Sequence, residues 1–168
     1  MGCGATILKK VLIMIFDDSY LKDICYIITS KNLEISNQVN FYNFKNKTKN
    51  ILYTFLSNTQ RWTWIHHYSG TYGTIIVYEG DDTLDNIKEI ENIMNSKYLI
   101  KRPLLLLFDK NKILEKDHSL IETLRYNLLK INIKLMVQFI DFKENKQNSE
   151  LLYGIEWLED EIRKIGRR

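Results

Sequence analysis

The densest set of groups able to do chemistry lies in residues 11–24, VLIMIFDDSYLKDI, where an apolar run is followed by Asp17, Asp18, Lys22 and Asp23. A lysine closing the loop between a strand and a helix is the frame of a phosphate-binding loop, G-x-x-x-x-G-K-[ST]. Such a loop turns backbone N–H groups toward the phosphates, reaches the terminal ones with its Lys and gives a hydroxyl to magnesium. Aligned on Lys22, the frame puts Phe16 and Leu21 at the two glycine positions and Asp23 at the hydroxyl position. Glycine serves there because backbone must approach the ligand and take φ > 0 cheaply, and Phe16 and Leu21 forfeit both. The carboxylates, Asp18 among them, put negative charge where a triphosphate would sit, although Asp23 could in principle still hold magnesium. The stretch therefore reads as the frame of a nucleotide switch with its site defaced. The same residues also make a buried strand leading into an ordinary helix whose acidic first turn suits the helix dipole.

Other reactive residue types offer less. His66 and His67 are adjacent, so they point different ways, and no acidic or Cys partner stands at ligand spacing; no metal site is expected. Cys25 and Tyr26 sit in a helical pattern and are expected to pack, and Cys3 and Cys25 are not expected to form a disulfide, which suits a reducing compartment. The opening MGCGAT matches M-G-x-x-x-[ST], the N-myristoylation pattern, with Gly2 as acceptor and Thr6 at the hydroxyl position. One myristoyl chain gives only marginal affinity, about 10⁴ M⁻¹, so a stable anchor needs a second signal. A thioester-linked chain on Cys3, helped by Lys9 and Lys10, could supply it.

The 168 residues, 45% of them hydrophobic, fit one domain with a full core. A net charge of +3, without a basic block interleaved with aromatics, gives no reason to invoke nucleic acid. No secretory signal is read, and no stretch is long enough to span a bilayer.

These groups must be positioned by alternating strands and helices. Residues 19–30 carry Ile24, Ile27 and Ile28 at helical spacing. VNFYNF and NILYTFL flank KNKTK as two antiparallel strands and their hairpin. GTIIVY is a buried strand, and residues 82–96 form an amphipathic helix with an N-cap at Asp81 or Asp82. LLLLF after Pro103 reads as a central parallel strand. A helix over about 119–130, the strand KLMVQFI, the polar loop DFKENKQNS and a helix over 150–165 follow. This order predicts a doubly wound α/β fold, whose ligands bind at the carboxyl ends of the strands. Those ends are Phe16, residues 55–58, Glu79, and residues 108–111 and 140–142.

With these elements in place, the chain resembles the Arf and Arf-like branch of the Ras-type small GTPases over nearly its whole length. Arg61, Trp64, His67 and Tyr68 resemble R-x-x-W-x-x-Y-[FY], with His67 in place of the first Tyr. GTIIVYEGDD resembles the strand ending V-V-D-S. PLLLLFDKNKIL resembles P-L-L-V-F-A-N-K-Q-D-L, and LLYGIEWLEDEI the closing helix with its G-L-x-W-L core. Gly2 fits as well, since Arf proteins are myristoylated there. The resemblance implies a small-GTPase-like P-loop fold, mostly parallel with one antiparallel hairpin and helices on both faces, over residues 10–168 behind a tether of residues 1–9.

The resemblance also implies a nucleotide site that this chain does not match. In N-K-x-D the Asp accepts two hydrogen bonds from guanine; here the segment reads Lys110, Asn111, Lys112, Ile113, and Ile113 cannot accept one. For W-D-x-G-G-Q the chain has FLSNTQ, with Leu56 for the Asp and Asn58 and Thr59 for the glycines. Gln60 matches the water-positioning Gln only with three residues deleted before Arg61, and Ser57 takes its place otherwise. No glycine is left whose N–H could sense a terminal phosphate. The first switch threonine falls near Asn37, and the base-stacking loop is replaced by DFKENKQNS. No GTP hydrolysis and no cofactor are expected; the alternatives are a divergent, active GTPase holding GTP or GDP with magnesium, and an obligate structural subunit whose site is filled by its own Phe16 and Tyr20. With the strand starting at about Lys10 or Val11, there is room for a short tether but not for a switchable amphipathic helix. The expected protein is a lipid-anchored adaptor on a cytoplasmic membrane face, serving membrane trafficking through a protein partner. Arg61, Trp62, Trp64 and Tyr68, with the hairpin, are the candidate partner face; the alternative for these aromatics is core packing against the sheet, for Trp64 sooner than for Trp62.

Overall fold

The computed structural model describes residues 7–34, 41–78, 83–131, 133–143 and 149–165. Six strands form one sheet: β1 (Lys9–Ile15), β2 (Phe41–Asn46), β3 (Ile51–Leu56), β4 (Thr71–Tyr78), β5 (Leu104–Asp109) and β6 (Leu135–Ile140). Their order is β2-β3-β1-β4-β5-β6, with β2–β3 antiparallel and every other pair parallel. This is the mostly parallel α/β sheet with one hairpin that the sequence predicts. The helices are α1 (Leu21–Thr29), α2 (Thr83–Met94), α3 (His118–Lys130) and α4 (Ser149–Ile165).

The strands are apolar on both sides because both faces are covered. Val11, Ile13 and Ile15 of β1, with Ile75, Val77, Leu105 and Leu107, pack against α1 and α4. Leu12, Met14, Ile76, Tyr78, Leu106 and Phe108 point the other way, toward α2, α3 and Trp64. Each fully buried Leu or Ile contributes about 2 kcal/mol of transfer free energy, so neither face can be vacated. In α2 the stripe Ile87, Ile90, Ile93 and Met94 is buried while Leu84 is exposed.

Several element boundaries differ from the sequence reading by one or two residues; β2, read as residues 39–44, runs to Asn46, and the helix read to residue 96 ends at Met94. The helix expected from residue 19 is split: Asp17 accepts the Ser19 N–H at 2.9 Å and caps a short 3₁₀ turn, Asp18–Tyr20, and only then does α1 begin. Strand β4 starts two residues earlier than GTIIVY. The N-cap positions Asp81 and Asp82, the residue Asn37, and Gly2 and Cys3 lie outside the described residues.

Candidate functional site

Parallel register brings the strand ends together. Met14 stands opposite Leu56, Ile15 opposite Val77, Tyr78 opposite Phe108 and Asp109 opposite Ile140. The segments leaving these strands meet at the edge where open α/β sheets bind ligands. What fills that edge is the chain's own side chains.

The Phe16 N–H donates to the Val77 carbonyl at 3.0 Å, carrying the pairing with β4 one residue past β1. Its ring is buried, 5.4 Å from Trp64 and 6.1 Å from Tyr78 between centroids, with the Arg61 guanidinium 4.2 Å above its face. Leu21 is buried in the opposite core layer, while Lys22 and Asp23 are exposed on the first turn of α1. Among the described residues φ is positive only at Ser30, Asn50, Gly70 and Lys101, none of them between Phe16 and Lys22. The left-handed conformations of an anion-binding nest are therefore missing from this segment.

Asp18 has a different occupation. One carboxylate oxygen accepts the Asn58 N–H at 2.6 Å; the other accepts the Thr59 N–H at 3.2 Å, the Ser57 hydroxyl at 3.0 Å and the Thr59 hydroxyl. These donors open a 3₁₀ segment, Asn58–His67, kinked at Gln60 (φ −127°, ψ 45°). A carboxylate on the first N–H groups of a helical segment is favoured by charge-assisted hydrogen bonding and by the local dipole. The sequence leaves no glycine at Asn58 and Thr59, but these residues, like every non-proline residue, keep their backbone N–H groups. The donors are present and face an internal anion.

Tyr20 closes the other half of the edge. Its hydroxyl donates to Asp109 Oδ2 at 2.5 Å, and Asp109, 1% exposed, takes the Asn111 N–H on Oδ1 at 2.9 Å. The ring lies 4.8 Å from Phe142, with the Lys112 ammonium 5.4 Å from its centroid and 3.7 Å from Asp17. Burial, then the bond to Asp109, pushes the Tyr20 phenol well above its ordinary range, so it stays a donor. The Lys110 N–H donates to Ile140 at 3.0 Å and its ammonium is 3.9 Å from Asp141, while Ile113 packs on the layer under α3. Asp109 escaped the sequence reading because it ends an apolar strand and its partner lies 89 residues away. A tyrosine in a loop that should hold glycine was the one available signal.

No protein-family model matches the sequence, and neither does any curated protein. Among solved structures the chain is similar to the Arl6 (BBS3) small GTPase of Trypanosoma brucei, determined with the nucleotide analogue GppNp bound. The TM-score is 0.66 over 93% of this chain and 98% of that one, at 16% identity. The fold is that of an Arf-like small GTPase.

Within this Arf-like fold, the four residues read as a partner face divide. Trp64 is 1% and Tyr68 6% exposed; Trp64 donates its indole N–H to the Ser57 carbonyl at 2.9 Å, and burial, then Glu89, pushes the Tyr68 phenol up to about 12. Arg61 is half-buried, donating to Asn58 at 2.8 Å and to Glu89 at 2.5 Å. Trp64 and Tyr68 belong to the core and offer no surface to a partner, while Arg61, its side chain 28% exposed, is tied down by these bonds. Trp62 alone of the four is exposed, 76%, joined by Ile65 at 63%, which the sequence reading passed over. Gln60 sits at the kink, its carbonyl accepting from the Thr63 hydroxyl at 2.8 Å. Lys9 and Lys10, expected to aid an anchor, instead donate to the carbonyls of Ile162, His67 and Ser69 at 3.1, 2.6 and 2.5 Å. Among the described residues no group of His, Cys, Asp and Glu could hold a metal ion, and no helix is long and apolar enough to cross a membrane.

Proposed function

We propose that this Arf-like protein is a nucleotide-independent pseudo-GTPase that acts as an adaptor by protein contact on the cytoplasmic face of a membrane, in membrane trafficking. The observation that carries the reading is the Asp18 carboxylate on the Ser57–Thr59 donors. An anion supplied by the chain itself satisfies the groups that a ligand's terminal phosphate would need. The Tyr20–Asp109 pair supports the same reading on the base side, since a guanine would have to displace a buried hydrogen bond and then meet Ile113. The residues present do not fit a guanine nucleotide with magnesium, and no phosphoryl-transfer step is derived through one.

The partner face on this reading is Trp62 and Ile65; Phe41, 39% exposed, has its ring 4.6 Å from His67 at the end of the same 3₁₀ segment. An exposed Trp beside branched and aromatic side chains is the composition of a binding hot spot. Anchoring rests on the sequence pattern at Gly2 and Cys3. Calorimetric titration with GTP and GDP, with and without magnesium, tests the reading on protein stripped of carried-over nucleotide. No binding is expected up to about millimolar ligand, and micromolar binding would overturn it.

A further inference from the structure

The opposite end of the sheet carries a second, unassigned feature. All parallel strands begin there and all four helices end there, so the turn after β2, the loop from α2 to β5, the link from α3 to β6 and the end of α4 form one face. Lys47, Lys97, Lys101, Lys130, Lys134 and Lys164 are all exposed on it. Lys101, Lys134 and Lys164 line a common cavity of about 200 Å³ with Glu161 and Pro103. The acids on this face are largely absorbed: Glu161 is bonded by Lys134 and Lys164 at 2.5 Å each, Glu159 by Lys49 at 2.7 Å, and Asp160 by Arg163 at 2.6 Å. The other end of the strands also carries exposed lysines, Lys22, Lys110, Lys112, Lys116 and Lys143, but there they stand among Asp17, Asp18, Asp23, Asp109, Glu115, Asp117 and Asp141. The modest net charge of +3 therefore conceals a molecule with one basic end.

Aromatic and aliphatic groups lie among these ammonium groups. Lys97 is 4.9 Å from the Tyr98 ring centroid and Lys130 4.1 Å from that of Tyr126, with Tyr98 42% and Tyr126 60% exposed and Ile7 79% exposed. Tyrosines whose rings can enter an apolar boundary while their hydroxyls stay wet, beside long basic side chains, are suited to a lipid headgroup layer.

We propose that this basic end is a docking surface for an anionic lipid bilayer, lying flat on phosphate and carboxylate headgroups with the Trp62 face turned to the side. The proposal rests on the membrane reading above but not on acylation. Positive charges spread over a face attract anionic lipid from about one Debye length, roughly 8 Å at physiological salt, and lose that attraction in high salt.

The test uses the full chain carrying Gly2→Ala, so that no acyl chain contributes, in co-sedimentation with vesicles of phosphatidylcholine alone or with about 30 mol % phosphatidylserine. Expected is binding at least about tenfold tighter to the anionic vesicles, abolished at about 0.5 M NaCl. Lys101→Glu with Lys130→Glu should lose that preference. Lys116→Glu with Lys143→Glu, the same charge change at the other end, should keep it. Thermal melts of both pairs check folding, and Lys→Gln versions replace any pair that melts early. Equal binding to both vesicles, no binding, equal loss in both pairs, or an oligonucleotide that outcompetes the vesicles would each overturn the proposal. Mass analysis of the wild-type N-terminus reads acylation separately, so failure of the anchor and failure of the face are told apart.

Discussion

Asp18→Ala leaves the Asn58 N–H and the Ser57 and Thr59 hydroxyls without their carboxylate acceptor, while the Thr59 N–H keeps Ser57 Oγ at 3.1 Å. Hydrogen bonds to a charged group contribute about 1.5–3 kcal/mol each, but water reaches this half-buried site, so a loss of about 2 kcal/mol in denaturant-measured stability is the expected outcome. Asp18→Asn keeps one acceptor oxygen and should lose less. His67 gives a pH signature. Burial, then the charges of Lys10 and His66, lowers its pKa below the ordinary value of 6.5. Its folded pKa lies below its unfolded one, so its contribution to stability is full above about pH 6.5 and is lost as pH falls through the folded value. Melting temperature followed by circular dichroism from pH 7.5 to 5 should fall less steeply in His67→Gln than in wild type. At this scale the sequence was legible where residue type alone decides, as at Ile113, which can never accept a hydrogen bond. Tyr20 was readable as a filler of the site, but not its bond to Asp109, 89 residues away, nor that of Asp18 to Ser57, 39 residues away, because those partners are chosen by the fold.

Between elements, close approach matters more than residue type. A Cβ on Gly73 of β4 would stand 2.7 Å from Ile162 Cδ1 and 3.2 Å from Leu158 Cδ1 of α4, and Ile162 is 1% exposed with no room to retreat. Gly73→Ala should cost about 1–3 kcal/mol as overpacking. Ile162→Val removes the colliding methyl, and the double variant should be more stable than the sum of the single losses, a coupling that denaturation of the four-member cycle measures. Arg61 joins elements in the same way, tying the 3₁₀ segment to α2 through Glu89 while stacking on Phe16. The sequence reading recognised Arg61 as a motif residue but assigned it outward. A motif records that a residue is kept in a place, and the packing around it records why.

For the whole molecule, the organising fact is that a parallel sheet has two unlike ends. Strand carboxyl ends and helix starts gather the aspartates and the chain's own Tyr20 and Asp18 in the crevice where a ligand would lie. Strand beginnings and helix ends gather lysines. The helix dipoles favour this division, since acids are stabilised at helix starts and bases at helix ends. The calorimetric titration probes the first end and the vesicle assay the second, and neither result depends on the other.

The sequence by itself determined the order of strands and helices, the antiparallel hairpin, the two-sided core and the absence of glycines from residues 16–21, because periodicity and residue type are local properties. Only the tertiary structure decided that Trp64 and Tyr68 are core, that Trp62 and Ile65 are surface, and that Asp18 answers the N–H groups of Asn58 and Thr59. Those are choices among long-range partners, and they exist only once the sheet has fixed which strand ends meet.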